Sequence, residues 1–235
     1  MQGFILIDKP TDWTSHDVIN RVRKLTGERK VGHAGTLDPF ATGLLVVGIG
    51  KEYTKQLGEL VGLNKEYEAT FVLGARSETD DPEGPIKINE TARELTRDEI
   101  EAAMNKYKGE IDQVPPRFAA IKKDGKKLYE KARAGEYFEP KPRKVRIDEY
   151  ELLDVGANSH SPTREIKVRI RCGSGTYIRA LARDLGNDLE VGGYVSELRR
   201  NKVGQFDVVD ASPLKDLTPE NIASKLFEKE EAGSR

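Results

Sequence analysis

A chain of 235 residues with 37% hydrophobic and 34% charged residues can bury a sizeable core, as one large domain or two lobes sharing a sheet, and is too apolar to stay disordered. No apolar run approaches the ~18 residues needed to span a bilayer, and "MQGFILIDKP" reaches Asp8 and Lys9 too early for a signal peptide. A net charge of −1 offers no whole-chain attraction for nucleic acid, and a single cysteine, Cys172, excludes an internal disulfide and a cysteine zinc cluster, so a cytoplasmic protein is expected.

The run "GFILID" reads as a buried strand. A helix follows from Ser15 as N-cap, with Val18, Ile19, Val22 and Leu25 on one face and Gly27 as its stop. The glycine-punctuated loop "VGHAGTLDPFATG" leads into an apolar strand, Leu44 to Ile49, and a second helix from about Glu52 to Leu60. "KEYEATFVLG" alternates as a strand should, and "ARSETDDPEGPI" is an acidic, turn-rich loop in which Asp80 and Asp81 read as solvated. Thr96 and Glu99 form a capping-box pair opening a further helix. "VPPRFAAIKKDGKKLYEKARAGEYFEPKPRK" mixes Pro, Gly and basic residues around a short helical piece. Two long strands follow, "KVRIDEYELLDV" and "REIKVRIRCG", then the helix "GTYIRALARDLG", more strand and turn, and an amphipathic helix in the tail. Strands and helices interleave irregularly, which favours an α+β fold with a mixed, mostly antiparallel sheet over a doubly wound one.

Charge is distributed unevenly. From Pro115 to Arg146 eleven Lys or Arg stand against four Asp or Glu, while Arg76 to Glu101 holds four against nine. The basic segment is the electrostatic footprint of a nucleic-acid partner or a solvated charged surface. Asp38, between Leu37 and Pro39, is held out of helix by the following proline. In so apolar a setting an ionised carboxylate needs a partner, or it bonds its own loop amides. Arg179, behind Gly173 and Gly175 at a helix opening beside Tyr177, is a candidate cation for it, or faces solvent. His33 could be a base, a stacking platform or a loop hydrogen-bonder. Three widely spaced histidines without cysteine support make no metal site.

Together these stretches resemble the TruB-type pseudouridine synthases. "GHAGTLDPFATGLLVVGIG" is similar to the family's central signature, and "KPTDWTSHDVINRVRK", "KEYEATFVLGARSETDDPEG", "VPPRFAAIKKDGKKLYEKARAG", "CGSGTYIRALARDLG" and "LRRNKVGQF" resemble its other blocks in order, from Gly3 to Phe206. The resemblance implies a pseudouridine synthase fold at 1–212, with a thumb-like RNA-gripping insertion at about 115–146. It leaves a short charged tail at 213–235, too short for the complete C-terminal PUA domain that many members carry.

It further implies an isomerase that converts uridine to pseudouridine at position 55 in the T-arm loop of tRNA, a structured loop recognised by shape. Neither metal nor cofactor is needed, and the expected partner is tRNA, with no membrane and no obligate protein partner, the chain acting as a monomer. By position, Asp38 matches the covalent catalyst, Tyr67 the tyrosine stacked on the target base, and Arg179 the arginine that pairs with the carboxylate. Tyr177 matches the aromatic residue beside that arginine, Asp81 the loop aspartate, His33 the histidine holding the flipped loop, and Leu198 a wall of the uracil pocket. Lys122, Lys123, Lys126 and Lys127 would grip RNA phosphates from the thumb. Asp12 stands where the family usually has Gly, and Ala119 where the thumb usually has Ser. A non-catalytic RNA-binding or RNA-folding module of the same fold is the alternative. A glycosidic hydrolase would need a second carboxylate facing Asp38, and none stands out.

Overall fold

The computed structural model describes residues 1–118, the backbone of 122–123 and 126–127, and residues 140–156 and 162–228. In chain order its elements are β1 (Gly3–Lys9), α1 (Ser15–Thr26), β2 (Val31–His33), β3 (Thr42–Ile49), α2 (Lys51–Val61), β4 (Lys65–Leu73), β5 (Ala75–Ser77), β6 (Ile86–Ile88), α3 (Arg97–Asn105) and β7 (Gly109–Gln113). They continue with β8 (Lys122–Lys123), β9 (Lys126–Lys127), β10 (Arg143–Val155), β11 (Arg164–Cys172), α4 (Ile178–Asp188), β12 (Gly193–Val203), β13 (Phe206–Asp207) and β14 (Ser212–Pro213). The chain forms two compact units, Met1–Glu68 with Glu197–Arg235, and Ala69–Ser196. The architecture is α+β with a mixed, mostly antiparallel sheet, as the interleaving of elements implied.

In the first unit β1 lies antiparallel to β3, from Gly3 opposite Ile49 to Lys9 opposite Gly43. The other edge of β3 takes β2 antiparallel at Val31–His33 and β12 parallel at Arg199 and Arg200. Successive strand residues point to opposite faces. Ile5, Ile7, Leu45, Val47 and Ile49 therefore meet Val18, Ile19, Val22 and Leu25 of α1 on one side. Phe4, Leu6, Leu44 and Val46 meet Leu57 and Leu60 of α2 on the other. Both faces are covered, which is why "GLLVVGI" is continuously apolar instead of alternating.

Helix α1 is capped one residue earlier than expected. Thr14, with extended φ −73° and ψ 155°, accepts from the Asp17 amide, and the Asp17 carboxylate accepts from the Thr14 amide in return. Ser15 is drawn elsewhere, as described below. The tail also departs from expectation. Where an amphipathic helix was expected, Leu214 and Ile222 lie in short 3-10 turns, and with Leu217 they reach the core beside α1. Pro213 and Pro219, which have no amide hydrogen to give a helical ladder, flank the first of these turns.

In the second unit β11 pairs antiparallel with β10, which carries β7 on its far edge, Arg143 opposite Gln113. Residues of β4 from Ala69 onward flank β11. Thr96 and Glu99 cap α3 as the sequence indicated. Within the basic insertion β8 and β9 form a hairpin, Lys122 opposite Lys127 and Lys123 opposite Lys126. The short helical piece expected there lies outside the described residues. Among the described residues no helix is long and apolar enough to cross a membrane.

Candidate active site

Asp38 sits, half-buried, in the loop between β2 and β3, and the backbone around it is fastened from several directions. Ser15 Oγ, 2% exposed, accepts from the Leu37 amide at 2.9 Å and donates to the Leu37 carbonyl at 3.1 Å. On the other flank the fully buried Lys9 ammonium donates to the carbonyls of Pro39 at 3.1 Å, Pro10 at 2.9 Å and Trp13 at 2.6 Å. The Asp12 amide donates to Pro39 O at 3.0 Å, and Thr11 Oγ1 to Phe40 O at 3.2 Å. The Ala41 amide closes a turn onto the Asp38 carbonyl at 3.1 Å. Asp12 holds φ +62°, a conformation Asp tolerates and Gly prefers, so the residue that departs from the family pattern keeps the backbone a glycine would give.

Arg200 braces the same loop from β12. Its guanidinium, 1% exposed, donates from Nε to Leu44 O at 2.8 Å and from Nη2 to Gly35 O at 3.1 Å. Gly43 lets β3 pass this close: its φ is +100°, and a Cβ there would lie 2.3 Å from the Arg200 carbonyl oxygen. Within Gly35 to Phe40, buried side chains on β12, α1 and β1 thus hold the backbone at Gly35, Leu37 and Pro39, on both sides of Asp38. A carboxylate on such a loop presents its oxygens with little freedom, which suits a nucleophile or an ionised positioning group.

The same unit carries Tyr67 on β4, 9% exposed, and Leu198 on β12, 7% exposed. It also carries His33 at the end of β2, in register with Val47. His33 Nδ1 is buried without a hydrogen-bond partner among the described residues. Burial, reinforced by the Arg200 charge, holds its imidazole below the ordinary histidine pKa, which favours the neutral form.

Tyr177, Arg179 and Asp81 fall in the second unit, and there the structure brings them together. Tyr177 caps α4 with its backbone, and Gln113, 1% exposed, serves it with both ends of its amide. Gln113 Oε1 accepts from the Tyr177 amide at 2.8 Å and Nε2 donates to its carbonyl at 3.1 Å. Arg143 lies over the Tyr177 ring, 5.9 Å from its centroid. Two residues onward, Arg179 Nη1 donates to Asp81 Oδ2 at 2.6 Å and to Thr79 O at 3.1 Å, and Nη2 to Phe118 O at 3.2 Å. Both ion-pair side chains are almost wholly buried, at 6% and 2% exposure.

This corrects the expectation that Asp80 and Asp81 are solvated. Asp81 is 1% exposed and also accepts from Thr79 Oγ1 and the Glu83 amide. Asp80, at φ +62°, accepts from Arg183 Nη1 at 3.0 Å, and burial raises its carboxyl to about 6 against the pull of Arg183. An acidic loop reads as solvent-facing until the two arginines of α4, about a hundred positions on, fold against it. Ser15, Arg200 and Gln113 are site-shaping residues that residue-type reasoning passed over. Only the pairing of Arg199 and Arg200 within "LRRNKVGQF" pointed toward one of them. The side chains of Lys122, Lys123, Lys126 and Lys127 lie outside the described residues.

Solved structures share this architecture. A chain of the Cbf5–Nop10–Gar1 complex aligns with a TM-score of 0.69 at 29% identity, over 92% of this chain and 53% of that one. One from an H/ACA ribonucleoprotein bound to a substrate RNA containing 2′-deoxyuridine gives 0.68 at 26%, over 99% and 56%. The chain spans about half the length of these solved chains. The fold is that of the pseudouridine synthases.

Two family models complete the assignment: the TruB family pseudouridylate synthase N-terminal domain matches residues 23–178, and the tRNA pseudouridylate synthase B C-terminal domain matches 179–231. A protein of Thermobifida fusca named tRNA pseudouridine synthase B is 46% identical over 229 residues, covering 96% of this chain and 78% of its own length. One of the same name from Mycobacterium tuberculosis is 49% identical over 215 residues, covering 92% and 71%. The chain belongs to the TruB family of pseudouridylate synthases, as an enzyme of the isomerase type its motifs implied.

Proposed function

We propose that the chain converts a uridine in the T-arm loop of tRNA, at position 55, to pseudouridine. The reaction breaks the N1–C1′ bond, turns the uracil and joins C5 to C1′; the C5 hydrogen leaves and N1 gains a proton, so nothing is oxidised or reduced. The target base must first leave its stack, at a cost of a few kcal/mol. His33 and the lysines of the β8–β9 hairpin recover that cost by holding the displaced loop and its phosphates. Tyr67 offers the extruded uracil a stacking face worth roughly 1–3 kcal/mol, and Leu198 keeps water from the reacting centre. Asp38 attacks either the ribose or the uracil ring. Arg179 supplies positive charge in a fixed orientation, with Asp81 as its brace, and Tyr177 stands beside it. The enzyme acts as a monomer in the cytoplasm, without a cofactor or an obligate protein partner.

What carries this reading is the fastening of the Asp38 loop. Ser15, Lys9 and Arg200 commit buried polar groups to the backbone on both sides of one half-buried carboxylate. A module that only bound RNA would gain nothing from that precision. The test is release of tritium from a tRNA transcript labelled at uridine C5, by wild type and by Asp38→Asn. Release by wild type that disappears in the variant, with tRNA affinity retained, supports the reading. Tight binding without release by wild type would assign the chain to RNA binding or folding.

A further inference from the structure

Beside the loop that carries Asp38, within the first unit, lies a hollow of about 460 Å³ between α1, the turn before β2, β2 itself and α2. Arg23, Arg29, Lys30, His16 and His33 line it, and none of its ten lining residues is Asp or Glu. Arg23 is fixed by neutral acceptors: Nη1 donates to Asn20 Oδ1 at 3.1 Å and Nη2 to Val31 O at 3.3 Å, while its buried Nε has no partner among the described residues. The nearby Glu28 carboxylate accepts from the Lys30 backbone amide at 2.9 Å. Among the described residues, none of the three cations makes a salt bridge. Elsewhere in this unit Arg199 is paired with Asp8 and Lys202 with Asp207. Three unneutralised positive charges around one concavity, in a chain of net charge −1, repel one another unless an anion joins them.

We infer that this hollow is a phosphate subsite, taking one or two phosphodiesters of the RNA strand next to the nucleotide that His33 engages. The inference rests on the proposed function and extends it to residues that function did not use. His33 lines the hollow and also ends the strand leading into the Asp38 loop. A strand gripped here is therefore anchored on the same piece of backbone as the catalyst. Guanidinium and ammonium groups serve phosphate geometry, and uncharged bases would leave them unsatisfied.

The test uses the full chain and the unmodified tRNA transcript, with affinity measured across 50 to 200 mM KCl. Arg29 and Lys30 are exposed, so Arg29→Gln with Lys30→Gln removes two charges without opening the core. Each phosphate contact contributes about 0.7–0.9 to the log–log salt slope, so the slope should flatten by about 1.5. A control pair, Lys215→Gln with Lys225→Gln, removes the same charge from exposed positions of the same unit and should leave the slope alone. A wild-type slope in the first variant, or equal flattening in the control, overturns the inference. Inorganic phosphate at constant ionic strength separates the two sources of the ligand. Thermal stabilisation of wild type but not of the first variant, with an unchanged RNA slope, would mean that the hollow takes free phosphate and not a strand. Pseudouridine formation by wild type with an unflattened variant slope defeats the subsite alone, whereas absence of tRNA binding by wild type defeats both readings.

Discussion

Replacing Ser15 by alanine removes a single hydroxyl 22 positions from Leu37 in sequence, yet it should affect both stability and turnover. Ser15 and Leu37 are 2% and 3% exposed, so neither the Leu37 amide nor its carbonyl recovers a partner easily from water. Each lost bond costs about 1 kcal/mol net, and a buried amide left unsatisfied costs about 1–3 kcal/mol, which together suggests roughly 2–3 kcal/mol. For a chain of this size about 1 kcal/mol moves Tm by roughly 2–4 °C, so a fall of roughly 5–10 °C is expected. The kinetic effect is more specific. Leu37 immediately precedes Asp38, and a displacement of about 1 Å at a reacting group can cost on the order of a hundredfold in rate. kcat should therefore drop while KM stays close to wild type, because the buried hydroxyl offers no surface for substrate to touch. Ser15→Thr keeps the hydroxyl and should restore most of kcat even if its extra methyl lowers Tm. Steady-state tritium release and a thermal melt measure both quantities. An unchanged kcat in Ser15→Ala, or a Ser15→Thr variant as slow as Ser15→Ala, would refute the clamp.

Two further perturbations probe the frame. The Asp80 carboxyl, raised from 3.8 to about 6 chiefly by burial, holds its proton more tightly folded than unfolded. Its ionisation therefore weakens the fold above about pH 6, and stability from this group returns as pH falls toward 4, by roughly 3 kcal/mol at most. Asp80→Asn cannot titrate, so the Tm difference between wild type and variant should move in favour of wild type from pH 7 to pH 5; a constant difference would contradict the assignment. Gly43→Ala places a Cβ 2.3 Å from the Arg200 carbonyl at φ +100°, whereas Gly58→Ala in α2 meets nothing within 4 Å. The first should lower Tm by several degrees, through left-handed strain of about 1–2 kcal/mol plus the clash. The second should raise Tm slightly, by roughly 0.5–1 kcal/mol of helix propensity. Equal melts for the two would contradict the packing described.

Much of the frame was legible because its signals are local. The apolar runs of β1 and β3, the helical face of α1 and the Thr96–Glu99 box depend on neighbours within one or two turns. The order of the family's blocks likewise singles out Asp38, Tyr67 and Arg179 as candidates. What the sequence hid depends on distant partners. Thr14 and Ser15 are adjacent hydroxyls equally suited to cap a helix, and Leu37 decides between them. Asp81 looks solvated until Arg179 reaches it. Gln113, an ordinary residue at a strand end, holds both backbone groups of Tyr177, the N-cap residue of α4. The tail's apolar residues suggested a helix, but Leu214, Leu217 and Ile222 reach the core beside α1 from short 3-10 turns and the chain next to them, in a stretch punctuated by Pro213 and Pro219.

The central claim, an aspartate-dependent isomerisation of one T-arm uridine, is tested most directly by locating the product. Unmodified tRNA transcript is incubated with wild type or with Asp38→Asn, treated with carbodiimide and mild alkali, and read by primer extension. The account expects one new stop, in the T loop, present with wild type and absent with the variant. A stop elsewhere would contradict the substrate assignment, and a T-loop stop that persists with Asp38→Asn would contradict the role of Asp38.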